Sequence, residues 1–325
     1  MKKLISLILT IFISLTSLIA CSNKSQISIY APDGAPALAL SKVIKSNLKN
    51  SSVQIVSADK ITSVITGENK MADVCVLPIN LASKLIGNGS HYKMLATITH
   101  GNFYFLSKTD MVVDKQNINS LIGKTVGVMQ LNNVPGLTLK YSLSALNAPF
   151  TIIQDGSQKE PSKINLMAIN KVETSRNDID VFLIPSPQAD LKAQATGLKF
   201  VGSLGALYSK NGFPQAIIVA KNSVIAENSH FLKEFIENVK TVGDFLKEEN
   251  KAEICSLISG KLESGLTPVF NENTLTSLSI ERSKISYVSA KDCKESVNLF
   301  ISNLKSVEPS SVVDFNENFF YLGNL

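Results

Sequence analysis

The sequence is poor in the residues that build several common kinds of site. Its 325 residues include no tryptophan, two arginines, three histidines and four cysteines. With four cysteines in so long a chain, a fold held together mainly by disulfides is excluded. The spacing of the three histidines matches no metal-ligand motif. The arginines are Arg176 and Arg282, so a bidentate clamp for a carboxylate is not evident. Without indole rings, a platform for sugars or a cage for quaternary amines is disfavoured.

Apolar residues, by contrast, make up 44% of the chain, which excludes a disordered protein. The length suits two domains of about 150 residues each. The formal charge of +5 is spread along the chain without a dense basic patch, so we expect no nucleic-acid partner.

The N-terminus has the order of a secretory signal peptide. Lys2 and Lys3 precede an apolar run over residues 4–15, and Leu18-Ile19-Ala20-Cys21 follows. The last four residues resemble the lipobox of bacterial lipoproteins, in which the cysteine carries the lipid. This predicts removal of residues 1–20, lipidation (diacylglycerol or palmitate) at Cys21 and a tether over residues 21–26. The mature chain would sit on the extracytoplasmic or periplasmic face of the cell membrane; an ordinary cleaved signal is the alternative.

The rest of the chain alternates short apolar strands with amphipathic helices, which predicts the α/β class. In the first unit, we expect helices between and after parallel strands, with strands at 27–30, 53–56, 74–77, 94–98 and 103–106 and helices at 36–48, 60–68 and 80–86. The second unit repeats the order, with strands at 125–129, 150–153 and 180–184 and helices at 135–146 and 162–170. Each unit is therefore expected to contain a βαβαβ sheet flanked by helices.

The third strands of the two units share one pattern. An acidic residue, four apolar residues and a proline occupy Asp73 to Pro78 and, 107 positions later, Asp180 to Pro185. In both, the proline is placed to end the strand and begin a helix, whose N–H groups then face the region beyond the strand. Two lobes of similar architecture are the simplest explanation.

The boundaries of these lobes follow from where the pattern restarts. A new apolar strand at 215–220 follows Gly212-Phe213-Pro214, and later segments look helical, at 253–258, 273–278 and 291–304. We therefore assign residues 27–110 and 216–325 to a discontinuous first lobe and residues 117–210 to the second. Two hinge crossings are expected, at 108–118 and 210–216, because a hinge between two lobes needs such connections.

Four segments together resemble the solute-binding lipoproteins of bacterial ABC importers. They are the lipobox around Cys21, residues 30–39 (YAPDGAPALA), residues 72–80 (ADVCVLPIN) and residues 121–128 (LIGKTVGV). The chain is similar to the type II periplasmic-binding-protein fold, in the branch of nitrate, sulfonate and thiamine-precursor binders. The resemblance implies a monomer that holds a small solute between its lobes and delivers it to a permease driven by an ATPase. It implies neither a cofactor nor catalysis.

Candidate ligand-binding residues follow from the rule that open α/β sheets bind ligands beyond the carboxyl ends of their strands. The rule selects loop residues of the first lobe, namely Asp33, Gly34, Ala35, Pro78, Ile79, Asn80, Thr99, His100 and Asn102. From the second lobe and the return crossing it selects Gln130, Asn132, Asn133, Ser186, Gln188, Phe213 and Gln215. Amides and hydroxyls dominate this set, which fits a small polar or heterocyclic solute, such as a vitamin precursor, or an oxyanion held by helix N-termini.

Several of these residues also have an ordinary structural interpretation. Asp33 and Asn80 could cap the helices that follow them, and His100 could shape a turn before Gly101. Asn132 and Gln188 could be solvated loop residues. Phe213 or another aromatic residue is expected to stack on the ligand.

Two other functions are weighed against a solute receptor. An enzyme on the same fold is disfavoured by the lipobox and by the absence of the G-x-S-x-G and H-E-x-x-H motifs; Gly123-Lys124-Thr125 lacks the earlier glycine of a phosphate-binding loop. A surface receptor lipoprotein that has lost transport is the other alternative. No metal site is expected. Whether Cys255 and Cys293 form a disulfide stays open, and Cys75 is expected to be a buried strand residue.

Overall fold

The computed structural model describes residues 26–67 and 71–323. The predicted signal peptide, Cys21 and all of the tether except Gln26 lie outside the described residues. Within the described ranges, every helix is too short or too polar to span a lipid bilayer.

The first part of the chain forms strands and helices close to the expected positions. They are β1 (Ile27–Pro32), α1 (Ala35–Ala39), α2 (Ser41–Ser46), β2 (Ser51–Val56), α3 (Ile61–Thr66), β3 (Val74–Pro78), α4 (Ile79–Leu85) and β4 (Tyr92–His100). The helix expected at 36–48 is divided in two at Leu40, whose backbone leaves the helical region.

The middle of the chain begins with a strand and ends with a short helix. Its elements are β5 (Phe103–Ser107), β6 (Thr125–Met129), α5 (Val134–Ala145), β7 (Phe150–Ile153), β8 (Ile164–Ile169), β9 (Val181–Pro185), α6 (Gln188–Thr196), β10 (Lys199–Ser203) and α7 (Leu204–Tyr208).

The last part returns with a strand and is then mainly helical. Its elements are β11 (Pro214–Lys221), α8 (Asn222–Glu227), α9 (Ser229–Lys240), α10 (Lys251–Ser259), α11 (Ser277–Arg282), β12 (Ile285–Ser289) and α12 (Ala290–Val307). Thr276 caps α11 through a capping box, which places this helix a few residues after the predicted 273–278.

The strands form two mixed sheets of six strands, which confirms the predicted two-lobed α/β fold. The first sheet has the order β12-β4-β11-β3-β1-β2 and the second β10-β5-β9-β6-β8-β7. In the first sheet β1 is parallel to β2 and β3, and in the second β6 is parallel to β8 and β9. Near the centre of each sheet lies one antiparallel strand. In the first sheet it is β11, which the chain forms after it returns from the second lobe. In the second sheet it is β5, which the chain forms just after it leaves the first lobe.

This exchange of strands corrects the expected first boundary. β5 pairs with β9 and β10, so residues 103–107 belong to the second sheet and not to a first lobe that ends at residue 110. The chain therefore crosses at Gly101-Asn102 rather than at 108–118, a segment that stays beside the second sheet through the bridge between Val113 and Gly202. The chain returns between β10 and β11. β4 and β5 are close in sequence, but they pair with strands of different sheets.

The duplicated acid-apolar-proline pattern has the same structural role in both lobes. The Asp73 carboxylate accepts a hydrogen bond from the backbone N–H of Ser28 at 2.9 Å, at the start of the first sheet. The Asp180 carboxylate accepts one from the N–H of Thr125 at 2.8 Å, at the start of the second. Each aspartate thus ties its own strand to the parallel neighbour, β3 to β1 and β9 to β6.

One secondary-structure prediction is wrong and two strands are missing from the predictions. The predicted helix at 162–170 is strand β8, and strands β10 and β12 were not predicted. β8 reads Ile-Asn-Leu-Met-Ala-Ile, a short apolar run that suits a buried strand or a buried helix equally. Pairing with β6 on one side and β7 on the other decides in favour of the strand.

One apolar core extends from the first sheet into the second. It joins Leu77 of β3 to Leu137 of α5 and includes three aromatic residues near the return crossing. We call these residues, Tyr208, Phe213 and Phe300, the aromatic contact. The Phe213 ring stacks on that of Phe300 with centroids 5.2 Å apart, and Tyr208 meets the edge of both.

The cysteines do not form the disulfide that was left open. Cys255 and Cys293 are both free thiols, and they pack into different apolar clusters. Cys75 is buried in β3, as expected for a strand residue.

Candidate functional site

A cavity of about 280 Å³ lies between the two sheets. Pro32 and Pro78, at the carboxyl ends of β1 and β3, form part of one wall. Met129 and Pro185, at the ends of β6 and β9, form part of the other. The parallel strands of both lobes therefore point their carboxyl ends into one enclosed space, the position at which open α/β sheets bind ligands.

Ten of the candidate residues from the sequence line this cavity. They are Asp33, Gly34, Ala35, Pro78, Asn102, Gln130, Asn133, Ser186, Gln188 and Gln215. The other candidates do not line it, for reasons that differ from residue to residue.

Phe213 and Thr99 are core residues. Phe213 is 1% exposed and belongs to the aromatic contact, so it does not stack on a ligand in the cavity. Thr99 is buried in β4, between the paired strands β11 and β12. Thr99 faces the interior because alternate residues of a strand point to opposite faces of the sheet, whereas Phe213 is held in the interior by its stacking on Phe300.

Three further candidates lie just outside the cavity. His100 lines a separate surface groove, and its ring Nε2 is 3.1 Å from the carbonyl oxygen of Ser286 in β12. Asn132 is exposed in the loop before α5. Asn80, which follows Ile79 at the start of α4, is buried and donates from its side-chain amide to the Asn133 oxygen at 3.2 Å, so it supports a residue that does line the cavity.

Asp33 is held in a fixed position at the end of β1. One carboxylate oxygen accepts from the N–H of Gly34 at 2.7 Å and the other from the N–H of Val269 at 2.9 Å. Gly34 has φ +95°, which a residue with a side chain rarely adopts. Burial raises the pKa of Asp33 above its usual range, although these two N–H groups act in the opposite direction.

Asn102 sits where the chain first crosses between the lobes. Its side-chain amide donates to the carbonyl oxygen of Ser186 at 2.5 Å, and its backbone N–H donates to the side-chain oxygen of Gln215 at 3.1 Å. The side-chain oxygen of Asn102 has no protein partner although the residue is only 1% exposed. Because Ser186 offers a carbonyl, the amide nitrogen of Asn102 must face it, which leaves the amide oxygen as the free acceptor.

Proline and other apolar residues complete the cavity, and the sequence reasoning missed most of them. Six of the chain's eleven prolines line it: Pro32, Pro36, Pro78, Pro135, Pro185 and Pro187. Phe103, Met129, Val134, Leu266 and Val269 add apolar surface. Of the two prolines that follow the third strands of the predicted units, Pro78 was selected as a ligand-binding candidate, whereas Pro185 was interpreted only as the end of a strand and the start of a helix.

A polar contact between the lobes reaches the edge of the cavity. The guanidinium of Arg282 in α11 lies 2.7 Å from the carboxylate of Asp190 in α6 and 3.7 Å from the ring centre of Phe200. The Tyr104 hydroxyl donates to the Arg282 carbonyl at 3.1 Å. Ser186, which lines the cavity, donates its hydroxyl to Asp190. We call Arg282, Asp190, Phe200 and Tyr104 the polar contact.

The chemistry available in the cavity is limited. Among its lining residues, Asp33 is the single ionisable side chain, so no second group forms an acid and base pair with it. Within the described residues, no three His, Cys, Asp or Glu side chains lie together as a metal site would need. The cavity can bind through hydrogen bonds and apolar contact.

No protein-family model matches the chain, and no curated protein sequence matches it. Solved structures do resemble it. An ABC transporter from Parabacteroides distasonis is 16% identical, with a TM-score of 0.67 over 92% of this chain and 99% of that one. The periplasmic aliphatic sulphonate binding protein SsuA from Escherichia coli is 12% identical, with a TM-score of 0.62 over 93% and 96%.

A third similar structure is the ligand binding component of an ABC-type import system from Staphylococcus aureus with zinc bound, 10% identical with a TM-score of 0.60 over 91% of this chain and 96% of that one. At these identities the likeness establishes the fold. The chain thus has the two-lobed architecture of proteins described as binding components of ABC import systems.

Proposed function

We propose that this chain is the lipid-anchored solute receptor of an ABC importer, which captures a small polar or heterocyclic solute between its lobes and delivers it to a permease. The observation that carries the proposal is the cavity itself. It is small, it lies between the lobes, and its wall contains the carboxyl ends of parallel strands from each sheet. The likeness to binding components of ABC import systems supports it.

Binding would act by shifting the population toward the closed arrangement of the lobes. A solute that touches Asp33 from the first lobe and Gln188 from the second gains contacts only when both walls are near it. The open form offers one wall, and the difference in contacts is the free energy that favours closure. The permease would then recognise the closed surface.

The lipobox supports the anchor and the location. Lipid at Cys21 would hold the receptor beside its permease and ATPase on the outer side of the cell membrane, with residues 21–26 as the tether. A catalytic role is not proposed, because Asp33 lacks a partner for acid–base chemistry among the cavity residues.

Small-angle scattering of the full chain in mild detergent tests closure. A panel of vitamins, nucleobases, oxyanions and amino acids is added, and the radius of gyration and the melting temperature are measured. We expect one compound to raise the melting temperature and to contract the protein. A chain that binds a compound without contraction would fit a surface receptor or an enzyme instead, and a chain that binds none would contradict the proposal.

Incorporation of labelled palmitate tests the anchor separately. We expect label in the wild-type chain and none in the Cys21→Ala variant, which should also leave the membrane fraction. An unlabelled wild-type chain that stays in the cytoplasm would contradict the anchor and favour the enzyme.

A further inference from the structure

The electrostatics of the cavity are unusual for a site that would hold an anion. Its lining residues include one carboxylate, Asp33, and no lysine, arginine or histidine. Arg282 lies beyond Ser186 but is occupied by Asp190 at 2.7 Å. An anion entering the cavity would lose its hydration, would gain no opposite charge and would be repelled by the Asp33 carboxylate.

Backbone donors for an anion are also reduced. Helix N-termini bind anions through free N–H groups, and proline has no N–H. Pro135 lies in the first turn of α5, and Pro187 is the residue before α6. At the shorter helix α1, Pro36 is again in the first turn. Each proline keeps its carbonyl oxygen, so it offers a hydrogen-bond acceptor but no backbone donor. The proline rings also form rigid apolar parts of the cavity wall.

The polar groups of the lining are one carboxylate and several amides and hydroxyls. The Asp33 carboxylate oxygens already accept from two N–H groups and can accept more. The amides of Gln130, Gln188 and Gln215 can donate or accept, so they fit either kind of ligand. The side-chain oxygen of Asn102 is an unpartnered acceptor, but it is itself buried. The Asp33 carboxylate is therefore the charged acceptor that a ligand reaches, and a ligand that bonds to it must carry donors.

The size of the cavity limits the ligand further. Its volume of about 280 Å³ lies near the lower end of the range of about 300–1,000 Å³ for small-molecule sites. A ligand on the scale of one aromatic ring with substituents suits such a space.

We infer that the cavity takes an uncharged or cationic ligand with N–H donors, an amino-substituted nitrogen heterocycle or an amidine, and that it rejects oxyanions, sulfonates included. The inference rests on the proposed receptor function and names its solute class. It also separates this chain from the sulphonate-binding protein that has a similar fold.

Isosteric probes of opposite character test the inference by calorimetry on the full chain in mild detergent. Benzamidine is a cation with N–H donors, benzoate is an anion of the same shape without them, benzenesulfonate is an aromatic anion with a tetrahedral head group, and cytosine and adenine are neutral donors. We expect benzamidine, cytosine or adenine to bind at least about tenfold more tightly than either anion, a difference of about 1.4 kcal/mol. Equal or tighter binding of an anion overturns the inference, and so does failure of every donor probe to bind below about 1 mM.

A charge placed on the lining sharpens the test. Gln188→Lys puts an ammonium group at the cavity and should raise benzoate affinity about tenfold while lowering benzamidine affinity by a similar factor. The matched control is Gln194→Lys, an exposed position on the same helix, which should change neither affinity. If both variants behave alike, charge in the cavity does not select the ligand and the inference fails.

Asp33→Asn removes the one charge of the lining and should weaken benzamidine more than cytosine. Because the Asp33 carboxylate also accepts hydrogen bonds from Gly34 and Val269, the melting curve of the Asp33→Asn variant is measured first. If this variant does not fold, Gln188→Lys decides whether charge in the cavity selects the ligand.

Scattering distinguishes failure of the ligand class from failure of the receptor function. Contraction with benzoate but not with benzamidine would keep the receptor and overturn the ligand class, whereas benzamidine bound without contraction would keep the class and contradict the receptor.

Discussion

The two lobes meet through aromatic rings at one place and through an ion pair at another. In the aromatic contact, Phe213 and Phe300 are each 1% exposed or less and stack within the core that spans both sheets. In the polar contact, the Arg282 and Asp190 side chains are 22% and 10% exposed. Asp190 also accepts a hydrogen bond from Ser186, which lines the cavity. The first contact has no route to the cavity through hydrogen bonds, whereas the second has one.

The difference indicates separate roles. Burial of an aromatic ring raises the free energy of unfolding by on the order of 1 kcal/mol or more. This contribution changes little when the angle between the rings changes slightly. An ion pair that is partly exposed adds less, because desolvation offsets much of its attraction, but it requires defined geometry. We therefore expect the aromatic contact to hold the lobes together and the polar contact to set how closely they approach around the cavity.

The largest effect is expected from Phe300→Ala. The substitution empties space beside Phe213 and Tyr208, and loss of a buried phenylalanine costs about 3–5 kcal/mol of unfolding free energy. The neighbouring Leu299 is 61% exposed, so Leu299→Ala is the control and should cost under about 1 kcal/mol. Urea unfolding measures both. Similar midpoints for the two variants would show that the aromatic contact does not stabilise the fold.

Gly205→Ala tests how tightly the two crossings pack. A Cβ at Gly205 would lie 2.7 Å from the carbonyl oxygen of Gly101, so the segments must move apart. Overpacking of this kind costs about 1–3 kcal/mol and should also lower affinity for any ligand held by both lobes. In Gly243→Ala the new Cβ meets no atom within 4 Å, so that control should unfold like the wild type. A wild-type midpoint for Gly205→Ala would contradict the close approach of the crossings.

Arg282→Leu should have a smaller effect on stability and a clearer one on binding. It removes the ion pair with Asp190 and the contact over Phe200, at a cost of about 1–3 kcal/mol. Because Asp190 accepts from Ser186, ligand affinity should fall as well. Lys199→Met breaks the exposed pair with Asp110, whose side chains are 54% and 85% exposed, and should change neither quantity measurably. Unchanged ligand affinity in Arg282→Leu would separate the polar contact from the cavity.

The smallest expected effect is the pH dependence that His100 contributes beside the polar contact. Burial lowers the pKa of His100, against an opposing hydrogen bond to the Ser286 carbonyl. A lowered pKa in the folded state means that protonation favours unfolding. The contribution is present above the ordinary histidine pKa of about 6.5 and is lost as the pH falls through and below it, by at most about 1.4 kcal/mol per pH unit.

Unfolding of the wild type and of His100→Gln between about pH 8 and 5 measures this slope. The difference between the two chains should grow smaller as the pH falls, because glutamine does not titrate. Parallel curves would show that His100 is not buried enough to resist protonation.

Local patterns were sufficient for much of the fold and for part of the cavity. The apolar runs that became β3 and β9 predicted their strands within one residue, and the proline that ends each was already visible. The rule that ligands lie beyond strand ends selected Asp33, Asn102 and Gln188 correctly as cavity-lining residues, because this rule depends on strand direction and not on packing.

The same rule selected Phe213 and His100, which do not line the cavity. Phe213 lies in the return crossing and His100 ends β4 next to the first crossing, and nothing in the order of residues tells which side of the chain faces the cavity there. The walls formed by Pro187 and Leu266 were missed because apolar residues in loops carry no periodic signal.

By itself, the sequence determined the α/β class, the duplication of the lobes and the placement of polar residues after the strands, because hydrophobic periodicity and proline act over a few residues. Only the tertiary structure decided which sheet receives β5 and β11, that 164–169 is a strand, and that Asp33 lines the cavity without a cationic side chain beside it on the wall. These depend on partners far away in the chain, and pairing and burial between distant segments leave no mark in local sequence.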